Sequence, residues 1–191
     1  MCRAKLARKV DRGESIKNLE KTWEWLRETT CTYIKSAVLV ELTELWYEAE
    51  RDSERYRNYH KQAMALAGQE QGLFAEHLAR LRFLDGCIAG EEETIHALPA
   101  FVEALAWAAR HNTVTLQRTV SQAVAWLNDR LKARTELAPG KAETPTRKAK
   151  AVVRQSEEMA LSALPKELRG AFKEAVAELK RSLRNYVWRQ G

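Results

Sequence analysis

The residues with the clearest chemical potential are basic side chains near the end of the sequence. At about 100° per residue, Lys166, Arg169, Lys173 and two later cations fall on one side of a helix, beside an apolar arc. A row of cations on one helix face is suited to neutralising successive phosphates of a nucleic acid and releasing their counterions. We therefore predict a nucleic-acid-binding surface made by Arg147, Lys148, Lys150, Arg154, Lys166, Arg169, Lys173, Lys180 and Arg184.

The same segment allows two other interpretations. Glu167, Glu174 and Glu178 occupy a third arc, so the charges are sorted by sign, which also suits a solvated face beside a stripe that packs in the core. An acidic protein partner would fit the cations as well. If the surface binds a single strand, Tyr186 and Trp188 are available to stack on bases.

A second group of cations and rings lies earlier in the chain, and it consists of Arg51, Arg55, Tyr56, Arg57, Tyr59, His60 and Lys61. Interleaved rings and cations are typical of proteins that bind single strands. Acidic residues from Glu48 to Glu54 stand among them, at the spacing of helical salt bridges. We interpret the group as a salt-bridged helix surface.

Within that group, Arg55 is followed five residues later by His60, in the run Arg-Tyr-Arg-Asn-Tyr-His. An Arg shortly before a His, on a helix of a bundle, resembles the active-site motif of the HEPN ribonucleases. The resemblance implies RNA cleavage, usually across a dimer, with the His as acid or base and the Arg stabilising the phosphorane charge. The sequence departs from the usual motif at Tyr56, where the family has a polar residue.

A carboxylate metal site is the other chemistry that one short motif suggests. Glu93-Thr-Ile-His96 matches the Glu-x-x-His of ferritin-like sites, which need the motif twice. No second copy exists, because Arg57, Phe74 and Ala108 stand three residues before the other histidines. We expect no metal, no other cofactor and no enzymatic activity, with the HEPN-like ribonuclease as an alternative.

Charge is distributed unevenly along the 191 residues, whose net charge is +6. Residues 1–12 carry five Lys/Arg and one acid, residues 13–140 carry fifteen and nineteen, and residues 141–191 carry twelve and six. The basic ends favour contact with a polyanion, or alternatively docking of the ends on the acidic middle.

Composition favours an all-α protein in the cytoplasm. Gly and Pro are few, at 8 and 4 residues, and helix-forming residues are many. Cys2, Cys31 and Cys87 are odd in number and widely spaced, so they indicate neither a disulfide framework nor a metal pair. No apolar run is long enough to cross a membrane, and no secretory signal is recognisable.

The elements must be arranged around residues 14–67, which contain neither Gly nor Pro. Apolar residues there follow steps of three and four, as in a coiled coil, but the phase slips near Val40. We predict a long helix that is kinked or broken at Thr29–Thr32 or at Asp52–Ser53. Residues 37–47 are apolar on every side and are expected to form the centre of the core.

The remaining sequence predicts a bundle followed by a C-terminal helical pair. We expect Gly86 to cap a helix and Pro99 to stand in the first turn of a helix over residues 100–110. The predicted divisions are a basic arm (1–13), the main bundle (14–138), a linker with two Pro and a Gly (139–146), and a basic helical hairpin (147–191).

Together these patterns predict a non-catalytic subunit that binds RNA or single-stranded DNA within a larger complex. In its size, helical character and basic ends the chain is similar to the small helical subunits of CRISPR effector complexes, a likeness of general shape without a shared motif. The alternative is a coiled-coil or bundle module that binds protein partners or a second copy of itself, without nucleic acid. We expect no association with membranes.

Overall fold

The computed structural model describes the backbone of residues 12–50, 53–69, 73–91, 93–137 and 147–188, and the side chains in those ranges other than 131, 133–137, 147–150 and 184–188. These ranges contain eight α-helices, one short 3₁₀ helix (Lys166–Leu168) and no strand, which confirms the all-α prediction. Helix bounds are α1 (Arg12–Leu26), α2 (Thr32–Ala49), α3 (Glu54–Ala67), α4 (Ala75–Ala89), α5 (Thr94–His111), α6 (Thr113–Leu137), α7 (Arg147–Ala163) and α8 (Arg169–Trp188). None of the described helices is long and apolar enough to cross a membrane.

Residues 14–67 form three separate helices, so the long, kinked helix is not confirmed. After α1 ends at Leu26, the hydroxyl of Thr29 donates to the Leu26 carbonyl (2.9 Å) and satisfies an acceptor at the helix end. The second interruption precedes α3, where the Ser53 hydroxyl accepts a hydrogen bond from the Tyr56 amide (3.1 Å). Both interruptions fall where β-branched or capping residues disfavour an uninterrupted helix.

The chain divides into two compact units, Met1–His77 and Leu78–Gly191. In the first unit α2 packs against both α1 and α3. Leu39, Val40 and Leu42 of α2 are almost completely buried, whereas residues 44–47 are half-buried, so the predicted core centre at residues 37–47 is confirmed only in part, at residues 38–40, 42 and 43. Burying each of these side chains stabilises the fold by about 1.5–3 kcal/mol relative to exposure.

A buried polar pair completes the core of the first unit. The Oγ of Ser36 lies 2.8 Å from Nδ1 of His77, and both residues are buried. The imidazole ring lies 5.1 Å from the ring of Tyr33 and 5.7 Å from that of Phe74. Because a buried imidazole must satisfy its ring nitrogens, this arrangement fixes the start of α4 on α2.

In the second unit α5 is the central helix, and it packs against α6, α7 and α8. It begins at Thr94, five residues before Pro99, so the prediction that Pro99 stands in the first turn is wrong. A proline inside a helix removes one backbone hydrogen bond and disfavours the fold locally. The burial of Phe101, Val102 and Leu105, which are inaccessible to solvent, offsets that cost.

The expectation that Gly86 caps a helix is also wrong, because α4 continues through it to Ala89. A Cβ atom at Gly86 would lie 2.5 Å from the ring of Phe101, and one at Gly90 would lie 2.4 Å from the ring of Trp126. Gly86 inside α4 and Gly90 directly after it are therefore required for the close approach of aromatic rings. Periodicity within one helix cannot reveal a requirement that another helix imposes.

The predicted linker (139–146) and most of the predicted basic arm (1–13) lie outside the described residues. Beyond the linker, α7 packs mainly against α5, and α8 packs mainly against α6. Both helices belong to the same compact unit as α5 and α6.

Candidate functional site

The predicted basic surface can be followed at five of its nine positions, and these differ in what their side chains contact. Lys166 and Lys173 are exposed and have no ion-pair partner within the described part of the chain. Arg169 donates from Nε to the carbonyl of Leu164 (3.0 Å), and Lys180 donates to the carboxylate of Glu157 on α7. The side chains of Arg147, Lys148, Lys150 and Arg184 lie outside the described residues.

Arg154 forms an ion pair with Glu158 (2.9 Å) one turn along α7. Both side chains are largely exposed, at 79% and 64%, so water and salt screen the pair and it holds the guanidinium only weakly. Glu167 of the 3₁₀ helix and Glu174, Glu178 and Arg181 of α8 are also exposed, and the described surface of this region therefore carries both signs of charge. The predicted stripe is thus partly used for intramolecular contacts.

Three cations nevertheless meet at the turn between α7 and α8. Arg110 of α5 donates from Nη2 to the carbonyl of Ala163 (2.7 Å), and its guanidinium lies 4.4 Å from the ring centre of Trp107. Arg169 binds the adjacent carbonyl of Leu164, and Lys166 belongs to the turn itself. Basic side chains satisfy the free carbonyls at the end of a helix in this way. We call Arg110, Lys166, Arg169 and Lys173 the turn surface.

The first unit contains a cleft between α1 and α3 with a volume of about 340 Å³. Its lining combines two arginines, two carboxylates, an amide and two aromatic residues. We call it the α1–α3 cleft, and it is formed by Glu20, Trp23, Glu24, Arg27, Arg55, Asn58 and Tyr59. A cleft of this size lies within the range of small-ligand sites, about 300–1,000 Å³.

Glu20 links the two walls of the cleft. The Tyr59 hydroxyl donates to its Oε1 (3.2 Å), and Nη1 of Arg55 lies 3.6 Å from the same atom. Arg55 also stacks over Trp46, with its guanidinium carbon 5.0 Å from the ring centre. The guanidinium of Arg27 lies 5.9 Å from the ring centre of Trp23. Each arginine is therefore positioned by an indole ring.

Charged groups that line the cleft shift the pKa of Tyr59. Burial of the phenol, followed by the nearby Glu20 carboxylate and its hydrogen bond, raises the pKa of Tyr59 above its ordinary value of 10.0. Arg55 and Arg27 act in the opposite direction and lower the pKa of Tyr59.

Within one chain the structure does not bring Arg55 and His60 to a common cleft. Five helical residues rotate the chain by about 500°, which leaves the two side chains about 140° apart on α3. Arg55 lines the α1–α3 cleft, whereas the ring of His60 packs against the buried Tyr56 at 5.6 Å. Among the other cations predicted between Arg51 and Lys61, Arg57 and Lys61 are exposed outside the cleft, and Arg51 lies outside the described residues.

Glu93 and His96 form an exposed surface pair, with Oε2 and Nε2 3.6 Å apart. The described residues contain no group of three His, Cys, Asp or Glu side chains that could hold a metal ion. His77, in contrast to His96, is buried, and its Nδ1 lies within hydrogen-bond distance of the Ser36 hydroxyl.

Sequence reasoning did not identify Glu20, Trp23, Glu24, Arg27, Asn58 or Arg110 as site residues. The first five meet Arg55 and Tyr59 only because α1 and α3 share α2 as a support, and Arg110 reaches α7 only through the packing of α5. The one signal available was their position beside buried residues at helical spacing. Comparison of the chain with models of known protein families, with curated proteins and with solved structures finds no match.

Proposed function

We propose that the protein is a non-catalytic helical subunit that binds the phosphate backbone of RNA or DNA through the turn surface. The observation that supports this function best is the meeting of Arg110, Lys166 and Arg169 at one turn, with Lys173 one helical turn further along α8. Because Arg110 and Arg169 bind adjacent carbonyls and Lys166 and Lys173 are exposed on adjoining turns, these side chains are suited to attract a polyanion at low salt.

The way in which the arginines are held also supports the proposal. Arg169 uses Nε for the Leu164 carbonyl, so its two terminal amino groups have no partner among the described residues. Main-chain carbonyls hold the guanidinium without neutralising its charge, in contrast to a carboxylate. The remaining N–H groups match the geometry of a phosphate, for which arginine is well suited.

A salt series would test this function. Binding of labelled single- and double-stranded RNA and DNA should weaken with salt, and a Lys166→Gln/Arg169→Gln/Lys173→Gln variant should show a slope of log Kd against log salt reduced by about 2, at about 0.7–0.9 per lost contact. A Lys17→Gln/Lys21→Gln/Lys61→Gln variant is the matched control, because it removes the same charge from exposed positions in the other unit.

The Arg169 substitution also removes a structural hydrogen bond, so the Lys166→Gln/Lys173→Gln variant should be measured beside it. Neither lysine has a described partner, and the melting temperature should be unchanged. Equal slopes in the wild type and both turn-surface variants, or no binding at low salt, would reject the proposal.

A second candidate function, binding of a protein partner or of a second copy, is favoured by Trp25. The sequence indicates that Trp23 and Trp25 lie on different faces, and Trp23 is 8% exposed whereas Trp25 is 73% exposed. Large exposed aromatics are common at protein interfaces. If this candidate is correct, Trp25→Ala should lower the sedimentation-derived mass or abolish capture of the partner, without changing the melting temperature.

A further inference from the structure

We propose that the α1–α3 cleft is a second, independent site, which binds a nucleoside monophosphate or a single unpaired ribonucleotide. The proposal concerns the first compact unit and does not depend on the turn surface. It rests on the cleft lined by Glu20, Trp23, Glu24, Arg27, Arg55, Asn58 and Tyr59, and on which of these groups already have partners.

Several hydrogen-bond donors that line the cleft are not used by contacts among the described residues. Glu20 accepts from Tyr59 and lies near Arg55, so its charge is largely compensated. Arg27 has no ion pair within the described part of the chain, and the single pair of Arg55 is long, at 3.6 Å. Asn58 accepts from Gln62 through Oδ1, which leaves its amide N–H groups available to a ligand. Two cations and an amide therefore face the cleft with hydrogen-bonding capacity to spare.

Both arginines are also preorganised to bind an oxyanion. The guanidinium carbon of Arg27 lies over the ring of Trp23, 5.9 Å from its centre, and that of Arg55 lies over Trp46 at 5.0 Å. These contacts restrict the position of each guanidinium and leave N–H groups free to bind an anion. A phosphate monoester, with its double charge and several oxygens, matches two such groups better than a carboxylate does.

The remaining groups indicate what the phosphate is attached to. Glu24 is exposed and without a partner in the described residues, so it can accept hydrogen bonds from ribose hydroxyls or a base amino group. The guanidinium planes and the ring of Tyr59 offer surfaces on which a base can stack. The indole ring of Trp23 adds an apolar surface to the lining of the cleft. A volume of about 340 Å³ suits one nucleotide rather than a polymer.

Titration calorimetry of the whole chain with adenosine 5′-monophosphate tests the proposal. We expect the nucleotide to bind, and adenosine and inorganic phosphate each to bind at least about tenfold more weakly, because each lacks one half of the contacts. Arg27→Gln and Arg55→Gln should each weaken nucleotide binding about tenfold. Arg57→Gln is the matched control on the same helix, since it is exposed outside the cleft and should leave the Kd unchanged.

Two further measurements locate the site. The indole N–H resonance of Trp23 should shift on addition of the nucleotide, and the wild-type Kd should be kept in the Lys166→Gln/Arg169→Gln/Lys173→Gln variant. No nucleotide binding would overturn the proposal. The proposal would also be overturned if the Arg27→Gln variant and the wild type bound the nucleotide with equal affinity. A third contradicting outcome is tighter binding of a zwitterionic dipeptide, which has a carboxylate and an ammonium group but no phosphate, than of the nucleotide. Because neither arginine belongs to the turn surface, this inference and the proposed function fail separately.

Discussion

The α1–α3 cleft and the turn surface hold their arginines through different polar partners. In the cleft, the exposed Arg55 lies near the Glu20 carboxylate and over an indole ring, and Arg27 lies near a second indole. In the second unit, Arg110 and Arg169 bind main-chain carbonyls at the end of α7, beside the exposed Lys166. A carboxylate reduces the local charge, whereas a carbonyl leaves it intact. The cleft is thus suited to a small ligand with donors and acceptors, and the turn surface to a polyanion.

The largest effect is expected from a core substitution in the first unit, which lowers the free energy of unfolding. Leu42→Ala removes a completely buried side chain from the helix that supports both walls of the α1–α3 cleft, so it should lower the free energy of unfolding by about 2–5 kcal/mol. Denaturant unfolding measures this loss. Nucleotide affinity should fall in the same variant under native conditions. A nucleotide Kd equal to that of the wild type would show that the cleft does not depend on α2.

A smaller effect is expected at the contact between α4 and α5 in the second unit. Gly86→Ala places a methyl group 2.5 Å from the Phe101 ring and should destabilise the protein by about 1–3 kcal/mol. Gly170→Ala is the control, because nothing lies within 4 Å of a Cβ atom there, and it should be neutral or stabilise by up to about 1 kcal/mol. Both changes are measured by thermal or denaturant unfolding. Equal effects of the two substitutions would contradict the close contact at Gly86.

The smallest effect concerns the titration of Tyr59 in the cleft. Because its folded pKa is raised above 10.0, its contribution to stability is fully present below pH 10 and is lost as the pH rises through the folded pKa. Absorbance of tyrosinate near 295 nm, taken as the difference between wild type and Tyr59→Phe, should therefore appear above pH 10. Glu20→Gln should lower the pKa of Tyr59, and Arg27→Gln should raise it further. A midpoint below pH 10 in the wild type would contradict the described surroundings of the phenol.

The sequence was sufficient for features that depend on neighbours along the chain. The all-α class follows from composition, and the buried centre at Leu39, Val40 and Leu42 follows from a run that is apolar on every side.

Features that depend on distant residues were not predictable in this way. Gly86 has the appearance of a helix end, and only the ring of Phe101 shows why the helix continues through it. Pro99 stands inside α5 because burial of its neighbours outweighs the local cost. The cleft requires Glu20 and Tyr59, which are 39 residues apart, to meet.

The division between the two units falls inside α4, after His77, and not in a loop. A cut at that point would leave four free carbonyls on one fragment and four free amides on the other, and it would place the buried imidazole of His77 at a chain end. Proteolytic cleavage or circular permutation at this point is therefore expected to destabilise α4 on both sides of the break.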